Sequence, residues 1–135
     1  RWGFLTGFSF SLLQVLLGVD NIQYATSFPV FLFIVLGDYI VAYSVIGLSG
    51  LFKNRITNRP VALLAGIWLT FFARFICHFL TGWLIWDNLW PNEMGIFPPL
   101  YSFLYNGSYM LPEMILTSIV ALIFNKKIPK IYIES

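Results

Sequence analysis

Arg74 and His78 lie one helical turn apart in a run of apolar and aromatic residues, Val61 to Trp86, long enough to cross a bilayer. A cation in hydrocarbon costs roughly 2.5–3.5 kcal/mol even on the lenient insertion scale, so such a residue is a pointer to a site. Other apolar runs of the chain carry Asp38, Asn106 and Glu113. Counting down from the outer end of each run at about 1.5 Å per residue sorts these groups into two layers. Asp38 and His78 fall about 12 Å deep and Asn106 about 9 Å deep, with Tyr101 and Trp86 near the mouth. Arg74 and Glu113 fall deeper, at about 18 and 20 Å.

The outer layer brings one carboxylate, one imidazole, one amide and several aromatic faces to a shared depth on three segments. Taken singly, a buried His is a satisfied interior group, an Asn joins helices, and a Trp or Tyr anchors the membrane interface. Taken together they have the composition of a mostly apolar pocket with a few orienting polar groups. Asp38 supplies negative charge. Tyr39, Trp83, Trp86, Tyr101, Tyr105 and Tyr109 supply π faces that attract cations and stack on flat rings. His78 and Asn106 can each donate or accept. A small aromatic cation with hydrogen-bonding edges suits this set. In the deeper layer, Arg74 and Glu113 can form a buried ion pair, each lowering the other's desolvation cost. Arg74 can instead reach up toward the ligand layer along its long stem. Nothing in the set resembles a catalytic assembly. A single His and the single Cys77 build neither a metal site nor a disulfide framework, so neither enzyme nor cofactor is expected.

The elements that position these residues follow from composition. Of 135 residues, 59% are hydrophobic and only 10% charged, where soluble domains carry about 25% charged residues. Mean hydropathy is +0.78. Four apolar segments, about 2–19, 29–52, 61–86 and 100–124, each approach the roughly 20 residues that span a bilayer. They are too long and unbroken for barrel strands, so the expected fold is an all-α integral membrane protein of one domain. Arg1, Lys53, Arg55, Arg59, Lys126, Lys127 and Lys130 alternate with acidic loops holding Asp20, Asp87 and Glu93. The positive-inside rule then places both chain ends, including the C-terminus, in the cytoplasm. Gly3 and Gly7 form a Gly-xxx-Gly pair suited to a close helix contact, and Pro112 is expected to kink the fourth span. No basic run interleaved with aromatics points to nucleic acid. The chain opens on Arg1 directly in an apolar segment, and a longer parent protein is expected.

Three stretches carry a resemblance by their order and spacing. They are Asp38-Tyr39-Ile-Val-Ala-Tyr-Ser-Val-Ile-Gly-Leu-Ser-Gly-Leu-Phe52, Arg74-Phe-Ile-Cys-His78-Phe-Leu-Thr-Gly82 with Trp86, and Tyr101-Ser-Phe-Leu-Tyr-Asn106-Gly-Ser-Tyr-Met-Leu-Pro-Glu113. With the tail Lys126-Lys-Ile-Pro-Lys-Ile-Tyr-Ile, they make the chain similar to the thiamine-specific substrate-binding component of energy-coupling factor transporters. The resemblance implies a six-helix fold in a bacterial cell membrane, of which four helices are present and about two N-terminal ones missing. It implies thiamine captured from outside, a transmembrane coupling subunit, and two ATP-binding subunits that power uptake. By position, it assigns the ligand's charge to Asp38 and stacking to Trp86. It also makes site residues of Tyr39, His78, Tyr101 and Asn106. Arg74 stands where some members have Lys, and Tyr24 matches a further site tyrosine through an unevenly spaced loop. Two rival readings are the same scaffold with another flat vitamin or precursor, and a structural membrane protein without a ligand.

Overall fold

A computed structural model describes residues 2–125, and these are all-helical, with no strand among them. The first helix, Trp2–Leu17, is followed by a short turn of helix at Val19–Ile22. The second helical column runs Phe28–Gly50, the third Arg59–Leu89 and the fourth Pro98–Asn125. These last three are long and apolar enough to cross a membrane. The first has 16 residues, about 24 Å at 1.5 Å per residue, shorter than the roughly 30 Å hydrocarbon core. The expected cationic positions Arg1, Lys126, Lys127 and Lys130, and with them the C-terminus, lie outside the described residues.

Helix starts are written locally. Ser27 caps the second column, its hydroxyl accepting from the Val30 N–H, with Pro29 in the first turn. Asn58 caps the third in the same way, accepting from Val61 N–H at 3.3 Å ahead of Pro60. Each cap satisfies a backbone donor that the first helical turn leaves free. The fourth helix runs on through Pro112 as a single 28-residue element.

The second column ends in a 3-10 stretch at Val45–Gly50, and two further departures from regular α-geometry lie beside the polar residues. The second column widens to a π-helix over Ile34–Val41, and the third over Gly82–Trp86. Each widening delays the rotation of the following side chains. In the second column it leaves the sequence neighbours Asp38 and Tyr39 both buried.

Small residues bring the columns together. A Cβ on Gly3 would sit 2.9 Å from the Gly47 carbonyl oxygen, and one on Gly7 2.8 Å from that of Ser44. The Gly-xxx-Gly pair is therefore a close contact between the first and second columns of this chain. A Cβ on Gly66 would overlap the Ser49 carbonyl oxygen, so the third column crosses the second just as closely. Ile22, Ile34 and Tyr39 form one buried apolar cluster; Ile67, Phe71 and Met110 form another between the third and fourth columns. Large apolar side chains such as Trp68, Phe72, Leu116 and Phe124 remain exposed, as the wall of a lipid-embedded bundle requires.

Gly66→Ala is expected to destabilise the detergent-solubilised protein by about 1–3 kcal/mol through overpacking. Gly50, with open space where a Cβ would stand, is the control: Gly50→Ala should change stability by no more than about 0.5 kcal/mol. Thermal unfolding of the two variants side by side checks both, and equal melting temperatures would refute the crossing.

Candidate functional site

Asp38 is the hub of the polar cluster. It sits within the π-helical turn and is only 8% exposed, where an unpaired carboxylate would be strongly disfavoured. Its Oδ1 lies 3.0 Å from His78 Nδ1 and accepts from the Thr81 hydroxyl. Its Oδ2 accepts from the Trp86 indole N–H at 2.6 Å. A proton on His78 Nδ1 completes the first of these bonds. All three partners come from one stretch of the third column. A carboxylate has about four acceptor positions, so one remains for a further donor.

The π-turn at Gly82–Trp86 makes that convergence possible. At about 100° per residue, a regular α-helix would set Thr81 about 60° to one side of His78 and Trp86 about 80° to the other. One extra residue in the turn swings Trp86 back by about 100°, onto the arc between them.

Beside Asp38 opens a cavity of about 560 Å³ lined from all four helices. Asp38, Tyr39, His78, Trp86, Tyr101 and Asn106 all line it, so these six of the sequence-derived candidates are brought together. Their roles differ. Trp86 stacks on Trp90, centroids 5.5 Å apart and planes 8° from parallel. Tyr101 stacks on Tyr105 at 6.0 Å, leaving a second aromatic wall. Tyr39 acts partly as a brace: its hydroxyl donates to the Gly18 carbonyl at 3.3 Å and accepts from Asn21 Nδ2 at 3.4 Å. Asn106 is heavily engaged within the protein. Its amide nitrogen reaches the Ser102 and His78 carbonyls at 2.9 and 3.2 Å, and its Oδ1 accepts from Tyr109 at 2.7 Å. The bond to His78 fastens the fourth helix to the third, and the other two hold the amide in place within its own helix.

The remaining candidates fall elsewhere. Tyr24 is 48% exposed and off the cavity wall, but packs edge-on against Trp90 at 4.5 Å, one ring behind Trp86. Arg74 lies below the cavity. Its guanidinium is 3.6 Å from a half-exposed Glu113 carboxylate and sits over the Tyr43 ring at 4.8 Å. Tyr43 in turn lines the cavity and packs edge-on against His78 at 6.1 Å. Trp83, counted among the aromatic faces, packs on Phe79 at 6.0 Å and is not part of the wall.

Sequence reasoning passed over several residues. Thr81 reads as one more neutral polar residue in an apolar helix, and its spacing from His78 and Trp86 becomes informative only once the π-turn is known. Gly82 allows the close approach of the fourth helix, since a Cβ there would overlap the Ser102 hydroxyl. Gln14 and Asn21 bring the first helix and its following turn into the wall. A Gln in a helix whose other residues are apolar or small was the available signal.

The arrangement can hold and orient a flat cationic ligand: an anchored carboxylate with one free acceptor position, between aromatic surfaces that strengthen cation binding when water is excluded. Among the described residues no group of three or more His, Cys, Asp or Glu could hold a metal ion. Comparison with known proteins bears on which ligand class this is. No solved structure matches the chain. One curated relative, the thiamine transporter ThiT of Bacillus subtilis (strain 168), is 26% identical over 140 residues, covering 97% of this chain and 70% of that protein. The family described as thiamine transporter protein matches residues 1–133. The apolar helical frame is that of a membrane protein, and the chain belongs to the thiamine transporter protein family.

Proposed function

We propose that the chain binds thiamine and is the substrate-capturing component of an energy-coupling factor uptake transporter. The observation that carries this reading is the Asp38 carboxylate, fixed by His78, Thr81 and Trp86 at the wall of an aromatic cavity. Thiamine joins a positively charged thiazolium to a neutral aminopyrimidine. A buried carboxylate beside indole and phenol faces supplies what such a cation loses when it leaves water. Trp86 offers the stacking surface. Tyr101 borders the polar edge of the ligand, and His78 holds Asp38 in register. Asn106 helps set the spacing of the third and fourth helices through its bond to the His78 carbonyl. Arg74 supports the floor through Tyr43.

The loop with Lys53, Arg55 and Arg59 lies at the helix ends remote from the cavity, which by the positive-inside rule is the cytoplasmic side. The cavity then opens outward and the C-terminus lies inside. Substrate enters from outside, and release inward is driven by a transmembrane coupling subunit and two ATP-hydrolysing partners. The chain's own task is capture, with no chemistry performed on the vitamin.

Thiamine added to the purified protein is expected to quench tryptophan fluorescence with a midpoint at or below the micromolar range. A folded sample that shows no quenching refutes the reading. Asp38→Asn keeps the shape and removes the charge; affinity should fall by about 2–4 kcal/mol, roughly 30- to 1,000-fold. A neutral analogue should lose far less in the same variant, and equal binding of thiamine and that analogue to the unaltered protein would favour a different flat substrate. Trp86→Phe retains an aromatic face but deletes the donor to Asp38. It should weaken binding about tenfold and remove much of the quench, as fluorescence and calorimetry on the same sample can test.

A further inference from the structure

The first helix contributes a side chain whose hydrogen-bonding capacity is used by none of the described residues. Gln14 stands on the face Phe10–Gln14–Gly18, residues one turn apart. Both ends of that face are occupied. Phe10 packs edge-on against Tyr43 at 5.5 Å, and the Gly18 carbonyl accepts from the Tyr39 hydroxyl. Gln14 therefore stands between these two contacts on the helix face and itself lines the cavity, as do Gly18, Tyr39 and Tyr43. Its backbone carbonyl accepts from Gly18 N–H at 2.9 Å, but its side-chain amide makes no hydrogen bond to the described residues. The other cavity amides differ. Asn106 donates to the His78 and Ser102 carbonyls, and Asn21 donates to Tyr39. Gln14 has a donor and an acceptor side by side, both free, in a helix otherwise built of apolar and small residues.

We propose that Gln14 is a substrate-reading residue, its amide pairing with a neutral donor–acceptor edge of the bound ligand of the kind an aminopyrimidine presents. The assignment rests on the thiamine-capture reading above. An amide can match an amino group and an adjacent ring nitrogen at once, as Asn and Gln do on adenine. Asp38 and Trp86 supply the charged part of the cavity wall, and Gln14 supplies a neutral amide to it from the first helix. Once a ligand excludes water, an amide left unpaired here would oppose binding, so the ligand that fits is one that pairs it.

Gln14→Met keeps length and helical preference and removes both hydrogen-bonding atoms. Calorimetric titration with thiamine should show about tenfold weaker binding, while the melting temperature of the ligand-free protein stays as in the unaltered chain. Gln14→Asn keeps the amide but withdraws it by one methylene, and should lose affinity with equally unchanged ligand-free stability. Binding within twofold of the unaltered protein in both variants overturns the assignment. So does a loss of affinity matched by a lower ligand-free melting temperature, which would mark a packing role. If the unaltered protein binds no thiamine, the reading of function fails first, and that outcome is distinct from a variant that binds normally.

Discussion

A carboxylate inside a bilayer must find its donors within the protein, and Asp38 dictates much of the surrounding structure for that reason. Its three partners, His78, Thr81 and Trp86, all lie on the third column. Satisfying Asp38 therefore fixes the rotation of the second column against the third and their relative height. It also requires the third column to leave α-geometry, because a regular helix would turn Trp86 away from the arc of His78 and Thr81. The π-turns cost hydrogen-bond regularity where the second and third columns meet, and the convergence on one charged group offsets that loss. Such departures concentrate at functional sites in helices generally.

Around that anchor the bundle is held by close approach and by polar ties more than by a large apolar core. Lipid is as apolar as a leucine side chain, so burying hydrocarbon between helices adds little, and tight packing and interhelical hydrogen bonds do the work. Gly3, Gly7, Gly47 and Gly66 let backbones meet at the end of the bundle remote from the cavity. Ser11 with Ser44, Trp68 with Ser118, and Ser102 with the Phe79 carbonyl add ties between columns. Close approach recurs beside the cavity, where a Cβ on Gly82 would overlap the Ser102 hydroxyl and one on Gly37 would stand 2.7 Å from the Thr81 methyl. The cavity opens between these contacts, with the charged anchor on its wall.

The same arrangement divides labour among residues that look alike in sequence. Asn106 and Gln14 are both amides at the cavity, but one is engaged in joining helices and the other is free. Arg74 and His78 are one turn apart, but His78 bonds the anchor while Arg74 lies under the floor, against Glu113 and the Tyr43 ring. Tyr39 braces the turn after the first helix, and Tyr101 and Tyr105 present their faces. Capture of a flat cation suits this division: one charge opposite, aromatic surfaces alongside, and hydrogen-bonding groups for the neutral end.

The amino-acid sequence by itself determined the all-helical membrane architecture, because long apolar runs have no other way to satisfy their backbone in lipid. It determined the layer in which Asp38, His78, Trp86, Tyr101 and Asn106 meet, because depth along a helix follows from residue count alone. It also separated the Arg74–Glu113 layer beneath them. Rotation about each helix axis was not legible. The phase of a side chain depends on every turn before it, and a single π-turn moves it by about 100°. Only the tertiary structure therefore decided that Thr81 joins His78 and Trp86 on Asp38, that Trp83 leaves the wall, and that Tyr24 stands one ring behind it. Which amide is consumed by the protein and which is left for a ligand was likewise a tertiary outcome, set by neighbours from other helices that no local pattern encodes.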